Sequence, residues 1–410
     1  MRRILRVSSA TLMVLVATAL PARADPGDLD LNFGGGTGHV SAVVAGNQDG
    51  TDVAVRPSGR VLVVSEGGTI VQFLANGDPD TGFGSGGVVT GTPGVQIYAM
   101  ALDSLGRLLL AGDMGTDVFV ERLLPNGDPD ADFGGGDGWV TTTFGKLAFG
   151  LGVTIGPHGR IVVAGQVGSN HSRMMAARYL DNGDPDPAFS DNGKVTTVVL
   201  GSDSAADVAV SDDGSVVVAG TAAASDESPR SFGVVRYHPN GHLDRTFSDD
   251  GKATVRMGTT SDGAAVLIQP NGAIVVGGSY FHPTIDWALA RFTDAGKLDH
   301  SFSGDGKLPT AFGSGTNNFG GIVRQGTGDL IVCGTHQDAG DRSLVLARYL
   351  PNGTVDSGFG TAGQVVEDLG DHPSCRGVGR SPHGKVVIGA TVDGVTSDGD
   401  LGAARFLAGS

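Results

Sequence analysis

Short apolar runs rich in valine, isoleucine and alanine alternate along the chain with turns rich in glycine, asparagine and aspartate. In one stretch, Val208-Ala209-Val210 precedes a turn containing Asp213-Gly214, and a second apolar run begins directly afterwards at Val216. Runs of this length between turn residues are typical of β-strands joined by hairpins. Because no segment of 11 or more residues shows a convincing helical period, the pattern predicts an all-β protein.

One phrase recurs along the chain. Its fullest form is Asn-Gly, two or three residues, Asp, two residues, Phe, and a turn containing Gly. The seven phenylalanines are 50 to 58 residues apart: Phe33, Phe83, Phe133, Phe189, Phe247, Phe302 and Phe359. An aspartate stands three positions before each one: Asp30, Asp80, Asp130, Asp186, Asp244, Asp299 and Asp356. Seven matches in seven units indicate tandem structural repeats.

Each repeat of about 55 residues contains four short apolar runs, which we interpret as antiparallel strands A to D. One such sheet cannot bury both of its faces, so neighbouring sheets must stack. The sequence therefore predicts a seven-bladed β-propeller that forms a single domain over residues 25–410. The chain begins with one D-like strand, about His39 to Val44, and ends with strands A to C. We expect the N-terminal strand to complete the last blade and close the ring.

The phrase resembles the delta-60 repeat, a tandem repeat of secreted and surface bacterial proteins that is classed as propeller-like. The Asn-Gly turn, the Asp and Phe pairs and the Ala-Arg-aromatic ending of strand C carry this resemblance, which covers nearly all of the chain after residue 24. The first blade departs from the pattern, with Gln72 in place of the arginine. The resemblance implies a propeller and supplies no catalytic residues.

An arginine recurs in strand C of six blades: Arg122, Arg178, Arg236, Arg291, Arg348 and Arg405. Recurrence favours a structural role, because a single substrate site would need only one copy. We expect each arginine to bind the repeated aspartate just beyond the following turn. The repeated phenylalanine is expected to fill the space between adjacent blades.

The N-terminal segment has the features of a secretory signal peptide. Arg2, Arg3 and Arg6 precede an apolar run, and Ala22-Arg23-Ala24 supplies the small residues of a cleavage site. We place the cleavage after Ala24, which predicts a periplasmic or secreted monomer with no further membrane span. The formal charge of the whole chain is -16. Nucleic acid and anionic membranes are therefore poor partners, because an acidic surface repels phosphate groups.

Two cysteines, Cys333 and Cys375, are the only ones in the chain. An oxidising compartment favours a disulfide, whereas the small-residue position of Cys333 also fits a buried free thiol. Two cysteines alone do not make a four-ligand zinc site. Aspartate clusters such as Asp181, Asp184 and Asp186 leave calcium as a minor alternative, but they lack a complete calcium-loop pattern. We expect no metal and no other cofactor.

Binding residues are expected on the loop face, which we define as the ring surface formed by the variable D–A and B–C connections. The candidates are His171, Arg173, Tyr280, His282, Asp286, His336, Asp338, Arg342, His372 and Arg376. They suggest binding of a protein or another extracytoplasmic ligand, with no catalysis assumed. The alternative is a propeller-type hydrolase or lyase that acts at the mouth of the central channel, with one of the histidines beside carboxylates.

Overall fold

The computed structural model describes residues 24–44, 50–370, 373–382, 384–392 and 400–409. Their strands form seven four-stranded antiparallel sheets, so the predicted seven-bladed β-propeller is confirmed. Blade 1 contains β2 (Gly50–Val55), β3 (Val61–Ser65), β4 (Ile70–Phe73) and β5 (Val88–Val89). Blade 2 contains β6 (Val95–Leu102), β7 (Leu108–Met114), β8 (Asp117–Leu123) and β9 (Trp139–Thr142). Blade 3 contains β10 (Ala148–Ile155), β11 (Ile161–Val167), β12 (Arg173–Tyr179) and β13 (Lys194–Thr197).

Blade 4 contains β14 (Ser202–Val210), β15 (Val216–Ala223), β16 (Ser231–Tyr237) and β17 (Lys252–Val255). Blade 5 contains β18 (Thr260–Ile268), β19 (Ile274–Phe281), β20 (Ile285–Phe292) and β21 (Lys307–Thr310). Blade 6 contains β22 (Thr316–Arg324), β23 (Leu330–Asp338), β24 (Asp341–Tyr349) and β25 (Gln364–Glu367). Within the described residues, helix is limited to the 3-10 turns Gly34–Gly36, Gly134–Gly136 and Pro157–Gly159. None of these described helices is long enough to cross a membrane.

The seventh blade combines the two ends of the chain. Strands β26 (Ser374–Arg380), β27 (Val386–Val392) and β28 (Asp400–Phe406) form one sheet with β1 (His39–Ala42) at its outer edge. His39 pairs with Ala404, and Ala42 pairs with Leu401. The innermost strand of blade 1, β2, contacts the innermost strands of both blade 2 and blade 7. The blades therefore follow one another around a complete circle.

Apolar side chains pack mainly between adjacent blades. Strands β3, β11, β15 and β23 have almost continuous buried runs because each of these sheets is covered on both faces. All seven repeated phenylalanines are fully buried. Cys333 of β23 and Cys375 of β26 form a disulfide that joins blades 6 and 7, with Cα atoms 6.3 Å apart.

The strand C arginines connect each blade to the next. In six blades the Nε atom of the arginine donates to the repeated aspartate at 2.6–3.0 Å. The Nη1 atom of the same arginine donates to a backbone carbonyl in the C–D turn of the following blade, as Arg178 does to Pro239. The guanidinium also stacks on the repeated phenylalanine, with Cζ 4.5–4.9 Å from the ring centroid. One buried group thus satisfies two blades.

Blade 1 obtains the same connection from a different residue. Gln72 replaces the strand C arginine, and its Nε2 atom donates to Asp80 Oδ2 at 2.7 Å. The guanidinium comes from Arg56, directly after β2: its Nε donates to Gln72 Oε1 at 2.6 Å, and its Nη2 donates to the Pro125 carbonyl of blade 2 at 3.2 Å. Pro125 lies in the turn position that corresponds to Pro239 of blade 4. Arg56 therefore restores the link that the loss of the strand C arginine would remove.

Replacing Arg56 with alanine is expected to lower the free energy of unfolding by about 1.5–3 kcal/mol, as Arg178→Ala should in blade 3, because buried acceptors lose their donor. Chemical denaturation measures the change. Arg173→Ala, at the exposed start of β12, is the matched control and should stay within about 0.5 kcal/mol of the unaltered protein. Adding Gln72→Arg to Arg56→Ala should recover stability. An Arg56→Ala effect as small as that of the control would contradict the assigned role.

Candidate functional site

Three of the predicted binding residues meet on the loop face where blades 5 and 6 touch. Tyr280 on β19 is paired with Asp286 on β20, and burial together with the charge of Asp286 raises the pKa of Tyr280. His336 lies on β23 of the neighbouring blade and connects to Asp286 through Asn317 of β22. Asn317 was not among the residues predicted from the sequence.

The connection consists of two side-chain hydrogen bonds that join Asp286, Asn317 and His336, and we call these three residues the relay. Asn317 is fully buried, and its Nδ2 donates to Asp286 Oδ1 at 2.7 Å. Its Oδ1 lies 2.8 Å from His336 Nδ1. Because a carboxylate only accepts, the amide must present its oxygen to the histidine, and Nδ1 must carry the proton. In its neutral form, the imidazole of His336 consequently keeps a lone pair on Nε2.

The imidazole of His336 is positioned by a close approach of backbone. A Cβ atom at Gly315, in the loop before β22, would lie 2.7 Å from His336 Cε1 and 2.2 Å from the Gln337 carbonyl. Glycine at position 315 therefore leaves the space that the ring occupies. His336 itself remains partly exposed beside this loop.

An exposed apolar hairpin lies next to the relay. The connection between β19 and β20 presents Phe281 and Ile285, which are paired across the hairpin and are 44% and 37% exposed. His282, another predicted residue, is exposed at the tip of the same hairpin. Large apolar side chains on a surface otherwise rich in polar loops are typical of contact sites for a ligand or a partner.

The other predicted residues are distributed around the rim. His171 and Arg173 are exposed on blade 3, and Arg376 is exposed on blade 7. Asp338 and Arg342 are exposed near the β23–β24 turn, where Ser314 Oγ donates to Asp338 at 3.3 Å. His372 lies outside the described residues. The relay therefore unites Asp286 and His336 beside Tyr280. His282 lies on the adjoining hairpin, and Asp338 and Arg342 lie further along β23 and β24, whereas His171, Arg173 and Arg376 belong to blades 3 and 7.

Two carboxylates line the central channel, and sequence reasoning missed both. Asp52 of β2 accepts hydrogen bonds from the backbone of Val53 and of Met100 in blade 2. Asp207 of β14 accepts equivalent bonds from Val208 and from Val266 in blade 5. Burial raises the pKa of Asp52 to about 7, with a smaller contribution from the negative charge of Asp207, and burial raises the pKa of Asp207 to about 6.

Clefts also open on the opposite surface, the phrase face, which we define as the surface of the A–B and C–D turns. Between blades 4 and 5 the cleft has a volume of about 640 Å³ and is lined by residues that include Asp244, Gln269 and Asp294. The equivalent cleft between blades 3 and 4 measures about 400 Å³ and contains Arg160 and Asp186. The repetition of its arginines, aspartates and phenylalanines from blade to blade predicts a structural role for this surface.

Metal binding has no geometric support in the part of the chain that the structure describes. There, no group of three or more His, Cys, Asp or Glu side chains could hold a metal ion. The expected absence of cofactors and the minor calcium alternative both stay predictions.

The fold and the repeat agree with comparisons to known proteins. A family model described as "Domain of unknown function (DUF5122) beta-propeller" matches residues 212–247, 269–302 and 325–359. Each matched segment runs from an A–B turn to a repeated phenylalanine, in blades 4, 5 and 6 respectively. The chain is thus a β-propeller repeat protein. A search of curated protein sequences finds no match.

Solved structures show the same architecture at low identity. A streptogramin B lyase matches with 11% identity over 89% of this chain and 95% of that chain, at a TM-score of 0.54. The virginiamycin B lyase of Staphylococcus aureus, as an inactive variant with quinupristin, matches with 10% identity over 90% and 99%, also at 0.54. The WD40 propeller domain of Doa1 matches with 14% identity over 89% and 95%, at 0.51. At these identities the likeness concerns the fold alone.

We expect the channel carboxyl of Asp52 to titrate at about pH 7, because burial disfavours its charged form. The folded state then holds this proton more tightly than the unfolded state. The stabilising contribution of Asp52 is therefore greatest below about pH 4 and declines as the pH rises to about 7. Carboxyl ¹³C NMR on aspartate-labelled protein, assigned by difference with Asp52→Asn, measures the midpoint.

Asp207→Asn is the matched variant for this titration. It removes the negative charge that disfavours ionisation of Asp52, so the Asp52 midpoint should fall. Asp80, whose pKa is held low by hydrogen bonds from Arg60 and Gln72 against the effect of burial, supplies an internal control on the same spectra. Titration of every aspartate below about pH 5 would contradict the expected burial effect.

Proposed function

We propose that the protein is an exported propeller scaffold that binds a protein or another extracytoplasmic ligand through its loop face, centred where blades 5 and 6 meet. The observation that carries the proposal is the relay, in which the buried Asp286 and Asn317 orient a partly exposed His336. Rigidly oriented polar groups beside exposed apolar side chains are what a specific contact site requires. Phe281 and Ile285 supply the apolar part.

The position of this site on variable loops also supports binding. The phrase face is occupied by the repeated arginines and aspartates that hold the blades together, so changes there would cost stability. The loop face is free of those bonds and can vary without loss of the ring. We propose export because the first 24 residues contain a basic end, then an apolar run, and then small residues at a cleavage site.

A binding screen with residues 25–410 tests this function. The probes are an array of peptides and a panel of bacterial extracellular polysaccharides. A probe that binds the unaltered protein should bind at least about tenfold more weakly to Phe281→Ala and to His336→Gln, since both remove contacts at the proposed centre. His171→Ala, an exposed histidine of the loop face in blade 3, is the matched control and should bind normally. Equal binding by all three variants would place the contact elsewhere.

A second candidate function, a hydrolase or lyase that acts at this face, is favoured by the tautomer of His336. A histidine with Nδ1–H held by an acceptor and a free Nε2 lone pair can accept a proton from a substrate. The lyases with the same fold show that propellers support such chemistry, but the identity of 10–11% carries nothing more.

Long-range ¹H–¹⁵N NMR of the histidine side chains tests the enzymatic candidate. In neutral His336 the spectrum should show a protonated Nδ1 and an unprotonated Nε2, because Asn317 Oδ1 accepts from Nδ1. Asn317→Leu removes the acceptor and should shift the population toward the Nε2–H tautomer. His171 serves as the control whose signals do not change. A protonated Nε2 in the unaltered neutral protein would remove the proposed base and with it this candidate.

A further inference from the structure

On the phrase face, the repeated aspartate of several blades binds two donors through one oxygen. In blade 3, Asp186 Oδ2 accepts from Arg178 Nε at 3.0 Å and forms an ion pair with Arg160 Nε at 2.9 Å. In blade 7, Asp30 Oδ2 accepts from Arg405 and from Lys385, both at 2.6 Å. Arg160 and Lys385 each stand directly before strand B of their blade. A basic side chain at this position thus gives the aspartate a second positively charged partner.

Blades 1 and 2 follow the same rule. Arg60 occupies the position before strand B in blade 1 and donates to Asp80 Oδ2 at 2.7 Å. Arg107 occupies it in blade 2 and lies 3.6 Å from Asp130 Oδ2. Four of the seven blades therefore place a cation of their own against the repeated aspartate.

Blade 4 lacks this cation. Ser215 stands where blades 1, 2, 3 and 7 have arginine or lysine; blades 5 and 6 also lack the cation, with Ala273 and Asp329 at this position. Among the described residues, Asp244 Oδ2 accepts a side-chain bond from Arg236 Nε at 2.7 Å and from no second base. Asp244 is only 4% exposed, and it lines the cleft of about 640 Å³ between blades 4 and 5. The space that a basic side chain at position 215 would fill is part of this cleft.

Gln269 provides an independent indication that the cleft accepts a ligand. It follows the end of β18 in blade 5, lines the same cleft and is 8% exposed. Its carboxamide forms no hydrogen bond within the described part of the chain. The unpaired side-chain polar atoms that are sealed from solvent there belong to His39, Asp113, Trp287 and Thr391, so the Gln269 amide opens into the cleft. A buried amide without a partner is costly unless a ligand or water satisfies it.

The charges around the cleft favour a cation. Its carboxylates, those of Asp212, Asp213, Asp244 and Asp294, outnumber its two arginines. Arg236 is engaged by Asp244 and Asp294, and Arg324 lies at the end of β22 as the other basic group. His238 Nε2 is 3.4 Å from Asp244 Oδ1, so it faces the other oxygen of that carboxylate.

We propose that the cleft between blades 4 and 5 binds an alkylammonium or guanidinium group. The cation donates to Asp244 Oδ2 in the position that Arg160 or Lys385 occupies in its own blade, and to Gln269 Oε1 across the cleft. The volume suits a small ligand or one side chain of a larger one. This site is on the face opposite to the relay and does not depend on the loop-face function.

Calorimetric titration of residues 25–410 at low ionic strength tests the site. Cadaverine and agmatine probe free cations, and end-blocked tripeptides with a central lysine or arginine probe side chains. Saturable one-to-one binding of at least one probe, weakened by added salt, is expected. Binding of the free cations alone assigns the site to small amines, and binding of the tripeptides alone assigns it to a peptide side chain; either result supports the cation site. The absence of saturable binding up to tens of millimolar would overturn it.

Ser215→Arg is the matched variant, because it introduces the residue that blade 3 carries as Arg160. The new guanidinium should occupy the aspartate and weaken binding by at least about tenfold. Gln269→Leu removes the second acceptor and keeps the test available if Ser215→Arg does not fold. His336→Gln, on the opposite face, should leave the titration unchanged. Binding that survives both Ser215→Arg and Gln269→Leu would show a general attraction to the acidic surface and would overturn the assigned site.

Discussion

The guanidinium group that joins each blade to the next is the interaction on which the ring depends. In six blades it lies between the repeated aspartate, a buried phenylalanine and a backbone carbonyl of the neighbouring blade. Its removal would leave these acceptors without their donor and would lower the stability of the fold. Blade 1 shows that the requirement concerns the group and not its position in the sequence. There, Arg56 at the end of β2 donates to the turn of blade 2 and to Gln72, and Gln72 in turn donates to Asp80. Two residues thus perform the task of one.

This requirement divides the molecule into two surfaces with different freedom. The phrase face must keep a guanidinium group, the aspartates and the turns, whereas the second base before strand B differs from blade to blade. Where that base is present, as Arg160 is in blade 3, the aspartate is satisfied from within the chain. Where it is absent, as at Ser215, the same carboxylate faces an open cleft. A structural repeat can therefore open a cleft beside a carboxylate by omitting one side chain.

The loop face lacks the repeated arginine–aspartate bonds and carries the features that differ from one blade to another. The relay occurs once, at the contact of blades 5 and 6, beside an apolar hairpin that belongs to blade 5. Solved propellers with the same architecture include lyases and a WD40 domain, so the fold alone does not assign a function. What distinguishes this chain is the set of side chains at its loops and clefts, which is why function must be argued from them.

The sequence by itself determined the strands, the number of blades and the identity of the recurring residues, because these follow from local alternation and from a repeat that can be counted. It also named Asp286, His336 and Tyr280, although not their association. Only the tertiary structure could join Asp286 to His336 through Asn317, since these residues come from two blades and a single sequence shows no distances between them. The same holds for Arg56, which no repeat marks, for Asp52 and Asp207 in the channel, and for Cys333 and Cys375, whose pairing depends on how blades 6 and 7 meet. Contacts within a repeat can be read along the chain, whereas contacts between repeats depend on how the sheets stack in space.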